Sequence, residues 1–341
     1  MTNSDIRYSL GYQLPGEHDS IAEIVLDYLP HIDEVYFAWP GHASGRSPVG
    51  MLEGLSREEA AEIMSRELNE ISGRGVRLTL LYNANCYGHE AASLALEKKL
   101  INQIKEIGGI ISISAVTTAS PFVAESLKSA FPSLEVRASV NMRVGTITAM
   151  EYLTSFFDGF YMQREYNRVP GHIQHLSAWC GKNSKKIYML VNSGCLAHCP
   201  FQTYHDNLVA HESDIDPAQY KPKYPSYCRE LMNKKNHYGD FLRATWIRPE
   251  DIKHYNSLFD GYKLATRMHA NPRRIIAAYA RQSFRGNLAD LTEPGFSFNN
   301  KILDNTLFPE DWYMKTSNCG QNCQDCSYCD DVLEKALIKI Y

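Results

Sequence analysis

The chain has 341 residues, of which 44% are hydrophobic and 22% charged, with a formal net charge of −4. That balance suits a globular protein with a large core and excludes a strongly basic, nucleic-acid-seeking surface, though not a local patch. The opening stretch MTNSDIRYSLGYQLPGEHDS has no apolar signal region and no run reaches transmembrane length, so a cytoplasmic protein without a membrane partner is expected.

Apolar periodicity predicts alternating strands and helices. Residues 7–14 read as a strand and 18–29 as a helix, with Ile21, Ile24, Val25 and Tyr28 on one face. A second strand covers 34–39. Ser56, with Glu58 and Glu59 in the first turn, caps the next helix. The third strand, 76–82, ends in Asn83-Ala84-Asn85-Cys86 and leads to a helix over 91–107. The fourth is read at 110–116, before a helix from Pro121. The fifth, 135–140, ends in Asn141-Met142-Arg143, with a helix from Thr146. The sixth, 159–163, ends in Arg164-Glu165-Tyr166-Asn167-Arg168, with a helix from Pro170. The seventh is 186–191. The rhythm then breaks until an eighth strand at 261–265, ending in Thr266-Arg267 before a helix over 272–282.

Eight such units indicate an α/β protein, a (β/α)8 TIM-type barrel over 1–283. No GxGxxG follows the first strand, which weakens an open nucleotide-binding sheet. The polar, aromatic stretch at about 200–250 is expected as an insertion on the barrel mouth. Residues 284–341 form a C-terminal cysteine-rich extension, expected to be mainly irregular with a closing helix at 331–341.

In such a barrel the reacting groups sit at the carboxyl ends of the strands. Here those ends carry Asn83, Asn85, Asn141, Arg143, Glu165, Asn167, Arg168, Asn192, Arg267 and His269. Asparagines and arginines together can orient an anionic or amide-bearing substrate, although strand ends facing loops are polar in any barrel. Glu165 is the candidate general acid/base, with Asn167 and Arg143 beside it. Asn83, Asn85, Asn141, Arg168, Asn192, His205 and Arg267 are the candidate substrate-binding residues.

Nine cysteines, an odd number unevenly spaced, argue against a disulfide framework. Cys195 and Cys199, in CLAHCP, follow the seventh strand; Cys228 lies in the insertion and Cys86 ends the third strand. Four thiolates hold zinc or an iron–sulfur cluster. Buried cysteines are the bland alternative, and His198 and His205 are alternative donors. A second group, Cys319, Cys323, Cys326 and Cys329 in CGQNCQDCSYC, is too dense for packing to explain. Its first three cysteines have radical-SAM spacing but stand at the wrong end of the chain. Cys180 reads as packing, and Tyr220, Tyr224 and Tyr227 as a lid or a surface loop. Neither GxSxG nor HExxH occurs.

The pattern REYNR, VNSGCLAHCPFQTYHDN, WIRPEDIKHYNSLFDGYKLATR, AYARQSFRGNL and CxxxCxxCxYC resembles the collagenase-like peptidase family U-32, most clearly over about 135–290. The resemblance implies a barrel with a 4Fe-4S cluster on four cysteines. It also implies oxygen-independent hydroxylation, as in relatives acting on ubiquinone precursors or a tRNA uridine, some with prephenate as apparent oxygen source. It carries Cys195, Cys199 and Cys228 over as ligands, with Cys86 or a tail cysteine as the fourth. The spacing departs from that of the hydroxylase members. The four-cysteine tail is not general to the family, which opens room for a second cluster or zinc. Expected, then, is an iron–sulfur oxidoreductase acting on a small molecule, RNA or peptide, with room for an electron donor or protein partner. A peptidase and a non-catalytic electron-transfer or scaffold protein are the alternatives.

Overall fold

The computed structural model describes residues 6–16, 19–42, 44–45, 55–211 and 227–339. Eight parallel strands close into a barrel: β1 (Tyr8–Gly11), β2 (Ile32–Phe37), β3 (Arg77–Tyr82), β4 (Ala115–Thr118), β5 (Glu135–Ala138), β6 (Gly159–Tyr161), β7 (Lys186–Leu190) and β8 (Gly261–Lys263). Each pairs with the next, and Tyr8 of β1 closes the ring against Tyr262 of β8. The fold is the (β/α)8 barrel that the alternation predicts. No helix among the described residues is long and apolar enough to cross a membrane.

The helices between the strands start where the local chemistry provides for them. These are α1 (Ile21–Asp27), α2 (Arg57–Gly73), α3 (Leu94–Gly108), α4 (Pro121–Ala130), α5 (Ile147–Glu151) and α6 (Pro170–Lys182). Ser20 with Glu23 and Ser56 with Glu59 form capping boxes, each serine hydroxyl accepting from the glutamate N–H while the carboxylate accepts from the serine N–H. Ala60, Met64, Leu68 and Ile71 then recur at helical spacing and bury one face of α2 against the barrel wall.

The lumen departs from the branched apolar filling usual in such barrels. Arg137 of β5 is fully buried and reaches across to Glu34 of β2, Nη1 to Oε2 2.6 Å, and to Glu135, Nε to Oε1 2.6 Å. Tyr188 donates to Glu135 at 2.6 Å and Lys186 at 2.8 Å. Burial works against the Glu135 carboxylate, but the Arg137 charge and these donors outweigh it and hold the group at about 2. Lys263 lies over the Tyr36 ring at 3.8 Å and the Tyr161 ring at 5.1 Å. Partly accessible within the lumen but walled off from bulk solvent, its ammonium is pushed down to about 7, by burial first and then by Arg267.

Three expectations are corrected. The fourth strand is not 110–116, because the N–H groups of Ile110 and Ile111 both return to Ile107 O and finish α3; β4 begins at Ala115. The stretch at 200–250 is not wholly an insertion. After α7 (Gln202–Ala210) and α8 (Tyr227–Met232), α9 (Gly239–Arg243) and the 3-10 turn Pro249–Tyr255 supply the outer layer between β7 and β8. Phe241, Leu242, Trp246 and Ile252 are buried there. Beyond α10 (Pro272–Arg281), the tail is largely ordered rather than irregular. It carries β9 (Lys301–Leu303), α11 (Trp312–Ser317) and α12 (Tyr328–Ala336), then ends not in a helix but in β10 (Leu337–Lys339), antiparallel to β9.

The tail is fastened by the RPEDI block. Arg248 Nε donates to Asn305 Oδ1 at 2.9 Å, and Glu250 Oε1 accepts from Asn305 Nδ2 at 2.8 Å and Phe284 N at 2.7 Å. Trp312 stacks on Trp246, centroids 6.2 Å apart, and is buried to within 1%. Covering a tryptophan of this kind removes on the order of 200 Å² from water, about 5 kcal/mol of driving force. Val332, Leu333 and Ala336 of α12 join the same core.

Candidate functional site

Past β7 the chain is pinned before it delivers its cysteines. Asn192 is fully buried; its Nδ2 donates to Ala265 O at 3.0 Å and Leu291 O at 2.9 Å, and its Oδ1 accepts from Ala265 N at 2.6 Å. Gly194 lies so close to the returning tail that a Cβ would stand 2.2 Å from Pro294 O, which admits only glycine. Cys195 and Cys199 follow, with His198 between them in the left-handed region at φ 52°. Phe201 stacks on Tyr227 at 5.5 Å, and that contact brings α8, with Cys228, back to the CLAHCP loop.

Three thiols gather as a result. Burial raises Cys199 and Cys228 above the ordinary thiol range. Cys199 also senses Cys195, and Cys228 senses both. Two buried guanidinium groups back them. Arg164 lies within electrostatic range of Cys195 and Cys199 and donates from Nη1 to Ser193 Oγ at 3.3 Å. Its Nε has no hydrogen-bond partner, Glu165 being 3.9 Å away. Arg143, left-handed at φ 54°, approaches Asp206 at 3.9 Å and also has a buried Nε without a hydrogen-bond partner. The donor chemistry of three thiols beside two guanidinium groups suits a thiolate-held cluster, although among the described residues no three ligating side chains are already drawn to one point.

The opposite wall of the mouth is polar. Asn83 Oδ1 accepts from Gly45 N at 3.0 Å, and a Cβ on Gly45 would stand 2.8 Å from Asn141 Nδ2. The chain at 44–45 therefore runs directly over both asparagines. Arg267 Nη1 donates to Ser44 Oγ at 3.3 Å, and Asn85 Oδ1 is buried without a hydrogen-bond partner. Glu165 is buried between these groups and the thiols, and His205 is half-buried on α7. Beside Cys228 opens a cleft of about 660 Å³, lined by Arg229, Asn233, His269, Asn271, Arg274 and Phe296.

Several candidates take other roles. Asn167 spends its Nδ2 on Leu190 O at 2.8 Å and Thr245 O at 2.9 Å. Arg168 donates to Leu242 O at 2.8 Å and Trp246 O at 2.7 Å and lies over the rings of Trp246 and Trp312. These two, with Asn192, brace the wall rather than line a pocket. Cys86 leaves the thiol set: its sulfur is hydrogen-bonded to His211, just past the carboxyl end of α7, whereas Cys199 precedes the amino end. Nine helical residues separate those ends by roughly 13 Å. The His211 contact comes first, then Gly88 N, in holding the Cys86 thiol below its ordinary value.

Cys180 packs against Met150, Sγ to Sδ 3.8 Å, and burial pushes it up to about 12. Tyr220 and Tyr224 lie outside the described residues. In the tail Cys319, Cys323 and Cys326 are exposed and Cys329 is half-buried. Sequence reasoning missed Arg164 as a partner of the thiols. It also missed Glu293, a buried tail carboxylate whose Oε2 accepts from Met268 N at 3.0 Å. Nothing local in EPG signals that return to the barrel mouth.

No protein-family model matches the chain. It is 26% identical over 345 residues to the "Uncharacterized protease MJ1657" of Methanocaldococcus jannaschii, a match covering 95% of this chain and 97% of that protein. Among solved structures, that of the U32 peptidase Mk0906 superposes with a TM-score of 0.54 at 17% identity, covering 77% of this chain and 93% of its own. The chain belongs to the U32 peptidase family. The likeness to Mk0906 concerns the fold, while the likeness to the archaeal protease runs the length of both chains. In this U32 protein the blocks that carry the resemblance do two jobs. CLAHCP brings thiols to the mouth, and RPEDI fastens the tail.

Proposed function

We propose that the protein is an iron–sulfur enzyme of the U32 type, holding a 4Fe-4S cluster over the barrel mouth through Cys195, Cys199 and Cys228. Its reaction is oxygen-independent hydroxylation or a related redox step on an anionic small molecule, RNA or peptide. The observation that carries this reading is the gathering of three thiols from two elements beside the buried Arg164 and Arg143. An anionic thiolate cluster is accommodated in a low-dielectric wall only with such compensation. When bound, the cluster supplies one-electron chemistry and, with three protein thiolates, one iron open to a substrate oxygen.

The chain's own residues do the rest. Arg229, His269 and Arg274 give the cleft beside Cys228 a basic lining that attracts an anionic substrate. Asn83, Asn141 and Arg143 orient it against the mouth, and Glu165, enclosed beside Arg164, exchanges the proton.

A second reading has its own support. Cys86 hydrogen-bonded to His211 is a thiol–imidazole pair of the kind that activates a nucleophile, and it favours peptide hydrolysis. One set of proteins separates the two. Purified anaerobically, the wild type is expected to absorb near roughly 400 nm, and Cys195→Ala to lose that band and its iron while Cys86→Ala keeps both. A colourless wild type whose hydrolysis of a peptide library is abolished by Cys86→Ala alone would replace the first reading with the second.

A further inference from the structure

The proposed mouth site leaves four thiols unused. From Asn318 to Ser327 every residue is exposed, so no apolar burial offsets the ordering of that run, which costs roughly 1–2 kcal/mol per residue. Its hydrogen bonds are local: Asn318 Nδ2 donates to Met314 O at 2.9 Å, Asn322 Nδ2 to Asp325 Oδ2 at 2.8 Å, and Asp325 N to Asn322 O at 3.3 Å. Only its ends are secured, by α11 with its buried Trp312 and by α12 with Val332, Leu333 and Ala336. A loop so composed needs a tie that is not a hydrophobic core.

The thiols are placed to provide it. Cys319, Cys323 and Cys326 lie along the run, and Cys329 stands in the first turn of α12. Gln321 N donates to Cys319 Sγ at 3.3 Å, a peptide N–H turned toward sulfur as thiolate–metal sites require. The guanidinium groups of Arg168 and Arg243 lie within electrostatic range of Cys329 and suit an anionic centre. The run also touches the barrel mouth: Gln321 Oε1 is 3.0 Å from Nε2 of His198, the residue between Cys195 and Cys199. Both residues are left-handed, at φ 58° and 52°, so two turn apices meet.

We propose that Cys319, Cys323, Cys326 and Cys329 bind a thiophilic metal centre of their own, a four-thiolate zinc or a 4Fe-4S cluster, which clips the tail onto the CLAHCP loop through Gln321 and His198. The exposed run leaves the thiols free to close on the metal, each releasing its proton to solvent, so binding and ordering are one event. This centre is separate from the mouth site and does not depend on it.

The test uses the full chain purified anaerobically, with iron, sulfide and zinc counted in the wild type, in Cys323→Ala/Cys326→Ala and in Cys195→Ala/Cys199→Ala. The tail variant, whose substitutions touch no core, is expected to lose either one zinc or about four irons with matching sulfide, and the mouth variant to retain that increment. Zinc or iron in the lost fraction identifies the centre. Proteolysis within 318–327 should become at least tenfold faster in the tail variant and in chelator-treated wild type. A tail variant with the wild-type metal content and cleavage rate overturns the proposal. If the wild type arrives without metal, titration with zinc alone decides: saturation no tighter in the wild type than in the tail variant overturns it equally. Loss of iron in neither variant would sink the mouth reading and leave a zinc clip standing.

Discussion

Asp251 shows how a residue inside a conserved-looking string can work against the fold. Its neighbours Arg248 and Glu250 are bound to Asn305 and Phe284, but Asp251 is buried to within 8% and burial pushes its carboxyl up to about 6 from 3.8. Because the folded value lies above the unfolded one, the folded state holds the proton more tightly. Below pH 3.8 both states are protonated and nothing is lost; above pH 6 both are ionised and the folded state carries the full penalty. A shift of this size corresponds to about 3 kcal/mol at most. Asp251→Asn should therefore raise stability by about 1–3 kcal/mol at pH 8 and leave it nearly unchanged near pH 4. Urea unfolding at the two pH values measures this, and a variant less stable at pH 8 would show that the carboxylate has a stabilising role.

At the scale of elements, the join between β7 and the returning segment 291–296 governs the mouth. Asn192 and Gly194 hold that segment, and Cys195 follows directly. Gly194→Ala would drive a Cβ against Pro294 O and is expected to cost about 2 kcal/mol or more, displacing the cysteine loop as the backbone yields. Gly181→Ala, in α6 with nothing within 4 Å of the new methyl, should be neutral or gain up to about 1 kcal/mol. Thermal melts of the pair provide the comparison, and equal melting temperatures would show that the tail is not clamped on β7.

The same join marks the limit of what the sequence conveys. Strand and helix alternation, the capping serines and the convergence of CLAHCP were legible because they rest on local spacing. The roles of Asn167, Arg168 and Asn192 were not, since each depends on carbonyls far along the chain, at Thr245, Leu242 and Leu291. The alternation of isoleucines at 110–113 resembles a strand but is consumed in closing α3. The end of the tail looks helical by composition, yet it finds an edge in β9 that only the folded tail offers. Cys86 and Cys199 both follow strands and so look like ligands of one metal, and only the length of α7 parts them.

At the scale of the molecule, the ring is sealed by its two most distant strands, Tyr8 and Ser9 of β1 against Tyr262 and Lys263 of β8. During synthesis, roughly 250 residues must emerge after β1 before its second partner exists, on the order of ten to fifty seconds at ribosomal rates. Throughout that interval the nascent sheet presents two unpaired edges, each a template for another chain. A chain halted at residue 256, with seven strands and no eighth, is expected to sediment as aggregate unless a holdase is supplied, while the complete chain stays soluble. A monodisperse halted chain would show that the open sheet protects itself. The seam between first and last strand thus makes the barrel a structure whose hazard is greatest just before it is finished, and the burden of guarding it falls on the cell rather than on the sequence.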